Sequence, residues 1–161
     1  MHSLEHNVRH SIDLRKRKLD TFFKRVEDRN LDEQLVADLS RFGAVLICGF
    51  VEKCVEVVVL ERLKNRAHPR VITFLKSHFR RGTNYDCKAI EQLLIRFDPE
   101  WAERFQTFCS QNEAHAEALD SAYALRNSIA HGGDGNRGLN GIKQLYSSAQ
   151  EIVEALIWAT G

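Results

Sequence analysis

The chain has 161 residues, 43% of them hydrophobic, with nine glycines, two prolines and a net charge of +1. This fits one compact helical domain long enough to bury a proper core, and it argues against a disulfide scaffold: Cys48, Cys54, Cys87 and Cys109 form no Cys-x2-Cys pair, and Cys48 and Cys54 would lie ~9 Å apart along a helix, beyond bridging distance. The first twenty residues are charged and lack an apolar h-region, so no secretory signal is expected and the thiols read as reduced core groups of a cytoplasmic protein.

Leu4, Val8, Ile12, Leu19, Phe22, Phe23 and Val26 keep a three-and-four rhythm broken once by Arg15, which predicts a first helix over about residues 3–28. His2, His6 and His10 share a stripe at spacing four. No Cys, Asp or Glu is fixed beside them and the segment is terminal, so we read no metal site there.

Asn30 or Asp32 can cap a second, long helix reaching about residue 65. Residues 42–51 are ten uncharged residues, too few to cross a bilayer, and they mark a buried central helix. The Val57-Val58-Val59 run continues this periodicity and is read as helix, not strand. Gly43 and Gly49 each cost about 1 kcal/mol relative to Ala, which close helix approach would explain. The apolar surface is wide enough to serve both the core and a partner subunit. Glu52 interrupts it. Two readings stand: a buried acid paired with Arg126 or His131, or a Glu reaching solvent at the helix edge beside Glu56.

The near-zero net charge hides a division. Residues 1–81 carry 17 basic and 11 acidic side chains, whereas residues 82–161 carry 6 and 11. The excess concentrates in residues 62–81, where Arg62, Lys64, Arg66, Arg70, Lys76, Arg80 and Arg81 occur with no acid. Such a run suits a phosphate backbone; a solvated helix edge would read the same way.

Pro69 suits the first turn of a short helix to Phe79, with a basic loop after it. Asn84 or Asp86 can start the next helix, turning Ile90, Leu93, Leu94 and Phe97 inward. Asp98-Pro99-Glu100 is cap, proline and acid, a strong helix start. Trp101, Phe105, Phe108 and Cys109 then form an apolar face, read as core in preference to a base-stacking platform.

Apolar and small residues from Ala116 to Ala130 recur at helical spacing and place Arg126 and Asn127 near a helix C-terminus, with Gly132 and Gly133 as its cap. Asn127 and His131 are four apart, so the amide can hydrogen-bond the imidazole. Arg126 and His131 are roughly 140° apart around the helix and ~7.5 Å apart along it, so only the long Arg side chain would bring both to one phosphate. Gly133, Gly135 and Gly138 spell Gly-x-Gly-x-x-Gly, but a helix and not a strand precedes them, so a dinucleotide site is rejected. The last helix, about residues 140–159, turns Ile142, Leu145, Tyr146, Ala149, Ile152, Val153, Leu156 and Ile157 inward. Its N-terminus, behind Arg137, is a place for a phosphate.

Arg126, a polar neighbour and then His131 after four intervening residues, late in an all-α chain, resemble the Arg-x4-6-His motif of HEPN-domain ribonucleases. Ala67-His68-Pro69-Arg70-Val71 and Phe97-Asp98-Pro99-Glu100-Trp101 look like the HEPN branch found near RNA-ligase and phosphatase genes. The resemblance spans about residues 32–160. It implies an all-α, antiparallel HEPN-like bundle with added short helices, one domain over residues 1–161. It also implies a metal-independent, cofactor-free endoribonuclease of toxin, defence or RNA-processing type, acting as a homodimer with a composite site. In it Arg126 and His131, with Asn127 and Glu52, would be catalytic, and Arg62, Lys64, Arg66, Arg70, Arg80, Arg81 and Arg137 would bind RNA. The rival class is a HEPN-type module that binds RNA, a nucleotide or a protein without cleavage. In one toxin group a Tyr two residues past the His is modified by a partner nucleotidyltransferase; Gly133 stands at that position, so this partnership and an antitoxin of that kind are left open.

Overall fold

The computed structural model describes residues 2–28, 30–133, 135 and 137–161, with the side chains of residues 2–5 outside the description. Seven helices run in order: α1 (His2–Val26), α2 (Glu33–Leu63), α3 (Pro69–Phe79), α4 (Cys87–Leu94), α5 (Pro99–Gln111), α6 (Glu113–Ala130) and α7 (Leu139–Ala159). No strand occurs among the described residues, and no helix is long and apolar enough to cross a membrane.

The starts follow from capping chemistry. Asp32, Asp86 and Asp98 each lend a carboxylate oxygen to a backbone N–H of the first turn, of Leu35 (2.9 Å), Ala89 (2.8 Å) and Glu100 (2.9 Å). His68 does the same for α3 through Nδ1, which accepts from the Arg70 N–H at 3.2 Å. α1 ends at Val26, short of the expected Asp28, and α6 begins at Glu113, before Ala116. Neither difference moves a side chain of the motif.

One hydrophobic cluster draws on all seven helices. α2, α6 and α7 pack on one another at its centre, α1 lies along α2, and the α4–α5 pair packs on α6 and α7. The short connection between α6 and α7 makes them antiparallel neighbours. Every residue expected to point inward from α7 is buried, as are Val8, Ile12, Leu19, Phe23 and Val26 of α1; the side chain of Leu4 lies outside the described residues.

The centre of α2 is not buried all round. Phe42 is 51% exposed and Val45 is 37% exposed. The two helical glycines also differ. A Cβ at Gly43 would lie 3.1 Å from Phe23 and 3.2 Å from Ile142, so close packing accounts for that glycine, whereas a Cβ at Gly49 would meet nothing within 4 Å. Close approach within the chain therefore does not explain Gly49. Gly49→Ala is expected to raise unfolding free energy by about 1 kcal/mol, the helix propensity gain. Gly43→Ala should lose that gain to the crowding of two packed core side chains. Urea titrations of both variants check the difference; an equal gain at the two positions would contradict the packing described.

The cysteines are free thiols. Burial pushes Cys48 and Cys54 up to about 12, so both stay protonated at neutral pH. Cys87 and Cys109, on α4 and α5, are neighbours, both packed against the hydrophobic core.

Candidate functional site

The end of α6 is built by its glycines. His131 is the C-cap, with φ −98° and ψ 15°, and Gly132 follows at φ +77°, a conformation that L side chains avoid. The Gly133 N–H donates to the Ser128 carbonyl at 2.8 Å and the Gly132 N–H to that of Ile129 at 3.1 Å. That pair of bonds is a Schellman motif. A Cβ at Gly133 would lie 2.3 Å from Ser128 Oγ, so the chain turns back tightly over the last helical turn. Asp134 and Asn136, in the same glycine-rich stretch, lie outside the described residues.

The turn leaves His131 exposed at the first non-helical position. Among the described residues its ring makes no side-chain hydrogen bond. Asn127 Oδ1 instead accepts from Arg126 Nη1 at 3.3 Å, so the expected Asn127–His131 bond is absent there: the helix ends between them and the amide is already engaged by its neighbour.

Arg126 is held from three sides. Its Nη2 donates to Glu52 Oε1 at 2.9 Å, its Nη1 to Asn127, and its guanidinium carbon lies 5.9 Å from the centre of the Tyr123 ring. The Arg126 and Glu52 side chains are 28% and 23% exposed, so the pair is neither fully desolvated nor fully screened. Glu52 thus pairs across to α6, as the first of its two readings held, while Glu56 pairs with Lys53 at 2.7 Å. Cys48, one turn before Glu52 on α2, lies near Arg126, yet burial outweighs that cation and keeps the thiol protonated. A nucleophilic role at neutral pH does not suit it.

Three neighbours of the site were not among the residues expected in it. Tyr123 precedes Arg126 by three on α6, a spacing that would have revealed it. Cys48 precedes Glu52 by four on α2 in the same way. Tyr85 has no such signal: it is buried, its backbone lies near the Tyr123 hydroxyl, which is itself buried without a hydrogen-bond partner among the described residues, and its ring lies 6.2 Å from that of Phe79 at the end of α3.

The basic run separates into two kinds of residue. Arg66, Arg70, Arg80 and Arg81 are exposed. Arg62 is drawn to the end of α7, donating through Nη2 to the Ile157 carbonyl at 3.1 Å and through Nε to Thr160 Oγ1 at 3.3 Å, and Lys64 pairs with Glu61 at 3.3 Å. Arg137 is exposed and its side chain lies over Gly141, where a Cβ would come within 2.8 Å of it. Among the described residues no three His, Cys, Asp or Glu side chains are grouped to hold a metal; the side chain of His2 lies outside them.

The arrangement offers a fixed planar cation, a carboxylate that orients it, and a solvent-facing imidazole one helical turn on. Those groups suit an anion that is also to lose or gain a proton. A family model described as RiboL-PSP-HEPN matches residues 11–157 of the chain. No curated protein and no solved structure matches it.

Proposed function

Because the chain belongs to the RiboL-PSP-HEPN family, we propose that it is a HEPN-type, metal-independent endoribonuclease in which Arg126 and His131 act on the scissile phosphate. The observation that carries this reading is the Glu52–Arg126 pair, which aims a guanidinium from the last turns of α6 while His131, exposed at the helix end, has no side-chain partner among the described residues.

The chemistry follows from the groups. The imidazole takes the proton of a ribose 2′-hydroxyl, whose oxygen attacks the adjacent phosphorus; the 5′-oxygen leaves and is protonated. Arg126 stabilises the charge that builds on the phosphorane oxygens, and Glu52 holds the planar donor fork in place. The products are a 2′,3′-cyclic phosphate and a 5′-hydroxyl. DNA lacks the attacking hydroxyl and is not cut.

One imidazole cannot be base and acid at the same moment. The second proton transfer in this reading therefore belongs to His131 of a second copy, in a homodimer related by a two-fold axis. The exposed Phe42 and Val45 lie on the outward stripe of α2 that also carries Glu52, and they supply apolar surface for such a pairing.

The test is cleavage of end-labelled RNA in the presence of a chelator, with the termini of the products identified. Cyclic phosphate and 5′-hydroxyl ends are expected, and specific activity should fall as the protein is diluted through dimer dissociation. A folded, dimeric protein that leaves a broad RNA pool intact would favour the rival reading, a binding module. That reading draws on the state of Arg126, whose guanidinium already has a carboxylate and an amide as partners.

A further inference from the structure

α3 has two unlike faces. Leu75 and Phe79 turn inward against α2 and the core. Phe74 is 67% exposed and Val71 46% exposed, so this short helix leaves its largest outward side chain uncovered. Arg70 precedes Phe74 by four residues, on the same face and ~6 Å along the axis. Arg80 and Arg81 follow at the exposed end of the helix. No acidic residue occurs between Glu61 and Asp86.

An exposed aromatic ring between arginines is not required by the fold. Phe74 is not one of the buried core residues, and among the described residues Arg70, Arg80 and Arg81 form no ion pair. What the combination matches is a strand whose bases are open to stacking and whose backbone is anionic. A second observation gives the face a direction. The inward Phe79 packs on Tyr85, Tyr85 lies against Tyr123, and Tyr123 lies beneath Arg126. The end of α3 and its basic loop therefore lead into the wall of the Arg126 site.

We propose that the outward face of α3 is a single-strand track, in which Phe74 stacks on an unpaired base while Arg70 and the Arg80–Arg81 pair hold the neighbouring phosphates. The proposal rests on the reading of the chain as a protein that acts on RNA, and it adds where the strand lies outside the cleavage site. The track requires unpaired bases, because a ring cannot reach the face of a base inside a duplex. It does not require a 2′-hydroxyl, so single-stranded DNA binds it as RNA does, even though only RNA is cut.

The experiment titrates fluorescein-labelled, mixed-sequence single strands with the full chain carrying His131→Ala, so that RNA stays whole. Adding Phe74→Ala is expected to weaken binding about 5- to 150-fold with the salt slope kept, and Phe74→Trp to restore it. Arg70→Ala should flatten the slope by about one. Duplex RNA should not register the loss of Phe74. Single-strand affinity within about twofold of the parent for Phe74→Ala overturns the proposal, as does an equal loss on duplex. A change in oligomeric mass with unchanged RNA affinity would assign the ring to a protein contact and overturn it too. Wild-type cleavage is scored separately: its absence beside Phe74-dependent binding removes the nuclease reading and leaves the track, and its presence beside Phe74-independent binding does the reverse.

Discussion

Alanine at His131, and separately at Arg126, is expected to lower the rate of RNA cleavage by at least about 100-fold, the lower range for loss of a general acid–base group or of a transition-state cation. The two substitutions should differ in their side effects. The His131 ring makes no side-chain hydrogen bond among the described residues, and the helix end is closed by backbone bonds from Gly132 and Gly133, so His131→Ala should melt close to wild type. Arg126→Ala leaves Glu52 without its cation, beside a site meant for an anion, and adds repulsion to the loss of stabilisation. Arg126→Lys should rescue little, because an ammonium cannot reproduce the planar fork that Glu52 and Asn127 orient. Initial rates on labelled RNA, with thermal melts of each variant, check this. Cleavage by His131→Ala at the wild-type rate would remove the imidazole from the chemistry.

The largest effect on stability is expected in the same helix. Leu119 is fully buried on α6, two turns before Arg126, and belongs to the cluster that joins α6 to the other helices. Leu119→Ala should cost about 2–5 kcal/mol, the transfer term plus the cavity left behind. For a chain of this size that is a fall in Tm on the order of 5–15 °C. Cleavage per folded molecule at low temperature should change far less, because the variant removes packing and no group of the site. A Tm within about 2 °C of wild type would mean that α6 is not anchored as described.

Most of the fold was legible because its signals are local. The caps at Asp32, Asp86 and Asp98, the prolines at 69 and 99 and the long face of α7 each follow from a few neighbouring residues. Glu52 was legible only in part: a carboxylate in an apolar run must find a cation or reach water, and the sequence left both readings open until α6 brought Arg126 beside it. What could not be read depends on contacts between distant segments. Nothing near Arg62 announces that α7 will bring its carbonyl ends there, so the basic run looked uniform when it is not. Tyr85 reaches the site only because the loop after α3 folds against α6. The Asn127–His131 bond was expected from a regular helix, and the C-cap at His131 interrupts that geometry. Close packing was expected at both Gly43 and Gly49, and only the neighbouring helices could tell the two apart.

The unequal tethering of Arg126 and His131 has an entropic consequence. The guanidinium is preorganised: its rotamer is chosen by Glu52, Asn127 and Tyr123 before any ligand arrives. The imidazole has no such side-chain bond among the described residues, and ordering a side chain of this kind on association costs about 0.5–1.5 kcal/mol. In the proposed dimeric nuclease that cost would fall at the moment when strand and second subunit meet. A ligand that engages only the arginine avoids it, so short phosphorylated fragments can occupy the site without aligning the group that moves the proton, and they would act as inhibitors whose affinity is insensitive to the state of His131.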